Sequence, residues 1–432
     1  MAEGVQRREV VAIEPQVRLV AHTANPFELA VASARTCYAS DFVFQGRLDK
    51  KGERTRTTLL DALPRHKAEL DEIGRLDTPH ERRIHLVDQV SSRVADGDVR
   101  AALATFADLA RQRAGANARI AHDIYEAGHH TPFQHPTFVF ALEGVSRNVV
   151  ESFLHNHIFY NSEQQSQRYV EMKRAEVHVP ASVRADPEAL RIYEEAVRGA
   201  WDAYDALRDR LVEVNRKVMA AIGRVKGQSD KEVLKEAEKK SQEMARYVVP
   251  IAAATQLYHT ISGIVLLRYV RMCEAQNASA EARRVVDQMV EEVRRIDPEF
   301  VAQIHTVTTP RDEQVEWRLA ASASPPVPEP FPAGRHSILV HATPDAEALV
   351  ANVIREVTGS ALPDGELLAA ALDPHRNPAW SDTLNTWDHS PVLRALRHVH
   401  YTFRKRLSLT AYAQDQRHRM APGTRPLLQR LI

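Results

Sequence analysis

The chain has 432 residues, long enough for two or three domains with sizeable cores. Lysine plus arginine and aspartate plus glutamate each number 57, so nothing global favours nucleic acid or an acidic membrane, and an anionic ligand must be held by a local arginine group. Two cysteines, Cys37 and Cys273, are too few for a disulfide framework. No apolar run approaches the ~20 residues of a membrane span, and the opening MAEGVQRREV lacks a signal-peptide core, so a soluble cytoplasmic protein with no nucleic-acid or membrane partner is expected.

Residues Val17 to Tyr38 predict a strand and then a helix, with Asn25 as N-cap and Pro26 at the first helical position. From Ser40 to about Gly97 the chain is charged and irregular, and reads as an insertion or mobile loop. Ala101, Leu103, Phe106, Leu109, Ala110 and Ile120 predict a long helix between Val99 and Ala127. Then comes GHHTPFQHPTFVFALEGVSRNVVESFLHNHIFYNSEQQSQRY, from Gly128 to Tyr169. His129, His130 and His135 precede an alternation of Phe138, Phe140 and Leu142, which predicts a short strand with one buried face. After Gly144 the spacing of Val149, Val150, Phe153 and Leu154 becomes helical, with Ser146 placed to cap the first turn. That helix is expected to run into the polar tract ending in Ser166, Arg168 and Tyr169, with Arg147 and Glu151 as an ion pair one turn apart. Histidines, an arginine and hydroxyls so delivered to one neighbourhood make a site rather than a core.

Asp186-Pro187 opens a helix patterned by Leu190, Tyr193, Val197, Trp201, Tyr204, Leu207, Leu211 and Val214, and Lys226 to Lys240 reads as a solvated helix face. Residues 321–336 form a Pro-rich linker. Beyond it the chain repeats itself. ILVHATPDAEALVANVIREV from Ile338 aligns without gaps on RLVAHTANPFELAVASARTC from Arg18, pairing Leu339 with Leu19, Thr343 with Thr23 and Arg355 with Arg35. His398 to Phe403, HVHYTF, parallels HPTFVF, and AQDQRHRMAPGTRP follows.

The central stretch resembles the flavin-dependent thymidylate synthases. That family carries G-H-x-[ST]-P-F-E-H-x-x-F-x-F, matched at Gly128, His129, Thr131, Pro132, Phe133, His135, Phe138 and Phe140, with Gln134 in place of the glutamate. Its S-x-R-Y tail is matched at Ser166, Arg168 and Tyr169, whereas its R-H-R triplet is replaced by His155-Asn156-His157. Arg35, Cys37 and Tyr38 match an A-x-R-x-C-Y helix end. Arg246 and Pro250 match an E-x-A-R-x-x-L-P turn, followed in the family by a T-x-N-x-R-S…L-R helix. Leu257 and His259 stand near that helix's missing asparagine and arginine, and its late arginine is met by Arg268 or Arg271. The second copy supplies what the first lacks: Arg417-His418-Arg419, with Gln414 three residues earlier.

The resemblance implies an α+β fold of helices around a small sheet, present as one nearly complete copy over residues 1–320 and a truncated second copy over 337–432. It implies reductive methylation of dUMP to dTMP with FAD, NADPH and methylenetetrahydrofolate, in a homo-oligomer of tandem chains. In that scheme Arg268 or Arg271 is catalytic, and Ser166, Gln167, Arg168, Arg246 and Gln414 bind substrate. His129, Thr131, Gln134, His155, His157, Glu163, Arg417, His418 and Arg419 face the cofactor. The two degenerate copies are expected to complete one composite site. Ser166 lacks a nucleophile-elbow glycine pattern, which argues against a serine-hydrolase role. The histidines lack carboxylate or cysteine partners at helical spacing, so no metal is expected. A non-catalytic relative that binds a nucleotide or flavin, or acts as an oligomeric scaffold, is the alternative.

Overall fold

In TFVFALEGVS the even-numbered apolar side chains share one face, and they draw the main sheet of the protein around a core. A computed structural model describes residues 9–40, 97–170, 172, 175–275, 278–304, 310, 313–315, 318–319, 330–384, 386–419 and 421–426. The chain divides into two compact units, Met1–Ala323 with Tyr412–Ile432, and Ser324–Ala411. The expected insertion between Ser40 and Gly97 lies, apart from its ends, outside the described residues.

In the first unit β1 (Val10–Ile13) pairs in parallel with β5 (Ala175–His178). The larger sheet contains β2 (Gln16–His22), β3 (Thr137–Ser146), β4 (Tyr160–Gln164) and β6 (Ala254–Ser262) in the order β2-β3-β6-β4, all antiparallel. Phe138, Phe140, Leu142 and Val145 are fully or almost fully buried on one face of β3. Phe133 and Phe138 meet Phe300 edge to face, with centroids 6.3 and 5.3 Å away. The expected helices form as α1 (Pro26–Thr36), α2 (Gly97–Glu126), α3 (Pro187–Lys226) and α4 (Asp230–Ala245). Asp186 caps α3 through the Glu188 and Ala189 amides, and Ser229 with Glu232 forms a capping box on α4. α5 (Gly263–Ala275) and α6 (Ala280–Ile296) complete the unit.

Several expectations are corrected. Asn25 precedes α1 but sits left-handed at φ 46° and makes no side-chain cap bond. The helix after Ser146 is one α turn, Arg147–Val149, followed by a wider turn, Val150–Leu154, which closes with the His155 N–H donating to Val150 O at 2.9 Å. It does not continue into the polar tract: Tyr160–Gln164 is β4, because its residues find partners along β6. Likewise the expected helix after Pro250 begins as strand β6, and only Gly263 onward is helical. Leu257, His259 and Ile261 alternate into the buried side of that strand, a period of two in place of the helical one.

α6, which sequence patterning left unassigned, does two jobs. Gln288 Oε1 and Glu292 Oε2 accept from the Val17 and Leu19 N–H groups at 2.9 and 2.8 Å, which occupies the outer edge of β2. The buried Glu281 carboxylate accepts from Ser146 N–H and Oγ at 2.7 and 2.6 Å, fixing the point where β3 becomes helix.

In the second unit β7 (Ser337–Ala342) pairs antiparallel with β8 (Tyr401–Lys405), beside α7 (Ala346–Thr358) and α8 (Asp364–Leu372). Leu19 lies opposite Phe140 and Leu339 opposite Phe403, and each ladder shifts register immediately after that leucine. The Thr23 N–H donates to Thr137 O and the Thr343 N–H to His400 O, both at 3.0 Å. Asn25 and Asp345, ahead of α1 and α7, share φ 46°. The linker residues Pro330–His336 carry neither helix nor strand.

Gly144 lies in the irregularity within β3, where the register shifts between Leu142 and Val145. Its φ is +67°, and a Cβ there would lie 2.8 Å from Glu14 O. Gly144→Ala is expected to lower unfolding free energy by about 2 kcal/mol, from the left-handed backbone cost together with the crowding. Urea denaturation of the variant measures it, and an unchanged midpoint would show that the turn relaxes freely.

Candidate functional site

The pairing registers decide which side chains meet. Thr137 lies opposite Ser262, and both Phe138 and Tyr160 lie opposite Ile261. The start of β3, the end of β6 and the start of β4 therefore share one end of the sheet. The turn Thr131–Gln134, the loop after Leu154 and the first turns of α5 converge there.

At this end a network of uncharged rings fills the interior. The His157 Nδ1 accepts from the Phe159 N–H at 3.1 Å, so Nε2 carries the proton and donates to Tyr269 Oη at 2.8 Å. Tyr269 Oη spends its own hydrogen on Leu154 O at 3.2 Å. His259 Nε2, 2.9 Å from the same oxygen, therefore also donates. His155 stacks on Tyr160 with centroids 4.5 Å apart and reaches Ser162 Oγ at 3.0 Å. Burial, with the charges of Arg417, His157 and Arg419, pushes His155 down to about 3. Burial, then Arg268 and Arg419, pushes His157 down to about 4, and burial holds His259 well below the usual histidine value. All three imidazoles are neutral at neutral pH. The Tyr160 hydroxyl and His259 Nδ1 are buried with no hydrogen-bond partner among the described residues.

Cations surround this wall. Arg268 lies over Phe159, 5.2 Å from the ring centroid, and Arg419 over Tyr160 at 4.8 Å. Arg271, one turn further along α5, instead donates to the Tyr125 hydroxyl at 3.3 Å. Tyr125 O lies 3.1 Å from His130 Nε2, and Tyr38 Oη lies 3.3 Å from His129 Nδ1. The two candidate arginines thus serve different neighbourhoods: Arg268 belongs with His157, Arg271 with the histidine turn.

The opposite end of β4 carries a second group. Ser166, Gln167 and Arg168 form a turn in which Ser166 Oγ accepts the Arg168 N–H at 3.2 Å. Arg168 is not at a helix end, as the sequence suggested, but follows a strand. Its guanidinium is 3.5 Å from Glu243 and 5.2 Å from the Tyr169 ring. Gln165, Ser166 and Gln167 line a cavity of 410 Å³ with Met172, Glu176, Trp201 and Thr255. Gln167 accepts from Arg147 through its side-chain carbonyl oxygen, and its amide nitrogen is buried without a partner among the described residues. The expected Arg147–Glu151 pair forms at 2.6 Å; burial raises the Glu151 carboxyl despite Arg147. Arg246 is buried; desolvation, then the charges of Arg147 and Arg168, lowers its pKa, and it donates to Glu243 O at 3.1 Å.

Within one unit, then, the expected site residues fall into two groups. His129, Thr131, Gln134, His155, His157, Arg268, Arg271 and Arg419 lie at the Tyr160 end, whereas Ser166, Gln167, Arg168 and Arg246 lie at the other. Tyr160 and Ser166 are separated along the chain by the whole of β4, roughly 20 Å at ~3.3 Å per residue. Glu163 points to the exposed side of β4, away from Tyr160 and Ser162. Arg417 and His418 are exposed, and Gln414 is exposed on α9 (Leu409–Asp415). Sequence reasoning missed Tyr160, Tyr269 and the hydrogen-bonding role of His259, which reach the site through strand register and a helix that carry no motif of their own. Among the described residues no group of three His, Cys, Asp or Glu side chains could hold a metal ion, and no helix is long and apolar enough to cross a membrane.

Cations beside uncharged rings at one end, and cations beside the Gln167 amide at the other, suit anionic aromatic ligands. Residues 80–299 match the family model described as thymidylate synthase complementing protein, just over half the chain. The chain belongs to this family, the flavin-dependent thymidylate synthases. It is 33% identical to the flavin-dependent thymidylate synthase of Clostridium tetani over 171 residues, 40% of this chain and 64% of that relative. Against the enzyme of the same name from Nitratidesulfovibrio vulgaris it is 25% identical over 289 residues, 67% of this chain and 86% of that one. Among solved structures, a UMP/dUMP methylase from Streptomyces cacaoi bound with 5-Br dUMP aligns over 68% of this chain and 96% of that one, at 15% identity. Its TM-score is 0.40, too loose a likeness to carry an argument.

The neutral histidines set a pH dependence. The unfolded chain protonates a histidine near pH 6.5, but the folded protein holds His155 neutral to about 3. Their stabilising contribution is therefore complete above about pH 6.5 and is lost progressively as pH falls from there toward 3. His155→Gln is expected to melt with a smaller loss between about pH 7 and pH 5 than the parent, by calorimetry. Equal losses would mean that His155 is not held neutral.

Proposed function

We propose that the chain methylates the uracil ring of dUMP, with FAD, NADPH and methylenetetrahydrofolate as cofactor and co-substrates. The observation that carries this reading is the Ser166–Arg168 turn on its 410 Å³ cavity, with a buried unpartnered Gln167 amide, in a chain of this family. Ser166 Oγ, the Gln167 amide and the Arg168 guanidinium are the donors a nucleotide phosphate needs, and Arg246 and Arg147 add positive potential behind them.

The Tyr160 end fits a flavin. Tyr160 and His155 offer a stacked aromatic wall that carries no charge, and Arg268 stands beside it among cations. When bound, the flavin supplies hydride chemistry that no amino-acid side chain offers. Arg268 is the better placed of the two late arginines to stabilise negative charge developing on a uracil ring, because Arg271 is already engaged by Tyr125. His129, Thr131 and Gln134 border this end and would face the flavin or the folate. A nucleotide held at Ser166 is remote from Arg268 of the same unit, so a second copy of the chain would have to close the reacting centre. A truncated second copy over residues 337–432, with the shared register irregularities and the shared left-handed turn, fits the same tandem architecture.

One observation favours a second reading, a non-catalytic relative. His155 and His157 stand where the family has arginines, and their ring nitrogens are taken up by Ser162, Phe159 and Tyr269. Colour and growth separate the readings: a yellow protein that restores a thymidine-requiring strain supports the enzyme, and a colourless protein that fails to do so supports the relative.

Arg168→Ala is expected to weaken dUMP binding tenfold or more, the loss of about 1.5–3 kcal/mol of charge-assisted hydrogen bonding. Calorimetric titration of the folded variant measures it. Unchanged affinity would remove Arg168 from the phosphate site.

A further inference from the structure

The two units carry the same two-stranded ladder and treat it in opposite ways. In the first, Leu19 lies opposite Phe140 and Val17 opposite Leu142, and Phe138, Phe140 and Leu142 are buried. In the second, Leu339 lies opposite Phe403, Ala342 opposite Tyr401 and Ser337 opposite Lys405. Tyr401 and Phe403 hold the ladder positions of Phe138 and Phe140, yet they are 55% and 51% exposed, and Leu339 is 50% exposed. The core of the second unit, built on Val350, Ile354, Leu367 and Leu393, includes no residue of β7 or β8 among those described. A two-stranded ribbon with a bare ring face is marginal by itself and gains from an occupant.

The exchanges along the ladder define what that occupant is. The rings are kept, but the pair Val17–Leu142 becomes Ser337–Lys405, and Glu143 gives way to Arg406, whose N–H donates to His336 O at 2.8 Å. A serine and a lysine in place of two aliphatic side chains suit a wet, anionic occupant better than an apolar protein layer. Charge segregates in the same sense. From Pro330 to Pro344 and from His389 to Gln414 there are six lysine or arginine residues and no aspartate or glutamate, whereas Asp345 to Asp388 holds eight acids and two arginines. The balanced charge of the whole chain conceals this division. Lys405, Arg406 and Arg335 are exposed at the His336 end of the ribbon, and Arg404, on the opposite face, lies over Phe331 at 4.5 Å.

Tyr401 and Phe403 stand on one face two residues apart, about 6.6 Å at ~3.3 Å per residue. That is about twice the ~3.4 Å per nucleotide of a stacked strand, so neighbouring bases can each cover a ring only when unstacked from one another. A duplex presents no free base face, whereas a single strand does. An acidic peptide would answer the cations and leave the rings without a flat partner.

We propose that the β7–β8 face of the second unit binds single-stranded nucleic acid, with bases on Tyr401 and Phe403 and phosphates at Lys405, Arg406 and Arg335. Rings and cations address base faces and phosphates, which RNA and DNA share, so the sugar is not read. The site is separate from the nucleotide chemistry proposed for the first unit and does not depend on it.

The test titrates the full chain into labelled oligo(dT) and oligo(U) of about 15 nucleotides by fluorescence anisotropy, at salt from about 50 to 200 mM. Both are expected to bind, and a duplex of the same length at least tenfold more weakly. With three phosphates neutralised at ~0.7 each, the slope of log K against log salt is expected near −2. Y401A/F403A is expected to bind at least tenfold more weakly with that slope unchanged, and K405Q/R406Q to flatten the slope to about −0.7. Arg168→Ala, in the first unit's cavity, is expected to bind the oligonucleotides as the parent does. If Y401A/F403A fails to fold, F403A is read alone with at least threefold weakening expected. Binding that survives loss of both rings, or a duplex held as tightly as the single strand, overturns the site as no more than a basic surface. A parent that binds neither oligonucleotide overturns it too, and a changed sedimentation coefficient in Y401A/F403A would then assign the face to a protein partner.

Discussion

The hydroxyl of Tyr269 is the point through which the Tyr160 end is held together. It is fully buried, it donates to Leu154 O, and it accepts from His157 and His259. One atom thereby ties α5, β6 and the loop between the short helical turns and β4. An oxygen so placed has both imidazoles presenting Nε2–H, and His157 Nδ1, which accepts from the Phe159 N–H, carries no proton. Charging either ring would set a buried cation beside the other histidine, with no carboxylate on this hydroxyl to offset it. The two imidazoles on this oxygen are uncharged because burial disfavours the imidazolium form.

The sequence announced those elements whose local and tertiary preferences agree. α3 carries apolar residues every three or four positions over its length, with Asp186 and Pro187 at its start, and it forms as read. Ser146 is legible as a cap, although its strongest partner, Glu281, lies far along the chain and could not be foreseen. β4 and β6 misled because motif spacing was read as helical. NSEQQ has no apolar alternation, and it becomes a strand only because β6 offers a free edge. β6 itself alternates cleanly at Leu257, His259 and Ile261, a signal obscured by the histidine on its buried face.

The candidate site was legible as a set of residues and illegible as an arrangement. The motifs gathered Ser166, Arg168, His129 and Arg268 in one list, and strand register then places them at two ends of the same sheet. Register is a property of pairs of strands, so no local pattern reports it. The choice between Arg268 and Arg271 had the same character. They are one turn apart on α5, and only the position of Tyr125 and Phe159 separates their surroundings.

The occupied edge of β2 governs how the molecule can meet others. With Gln288 and Glu292 of α6 bonded to the Val17 and Leu19 amides, no incoming backbone finds donors there. Among the described residues the other edge of this four-stranded sheet is β4, which leaves strand addition to that side.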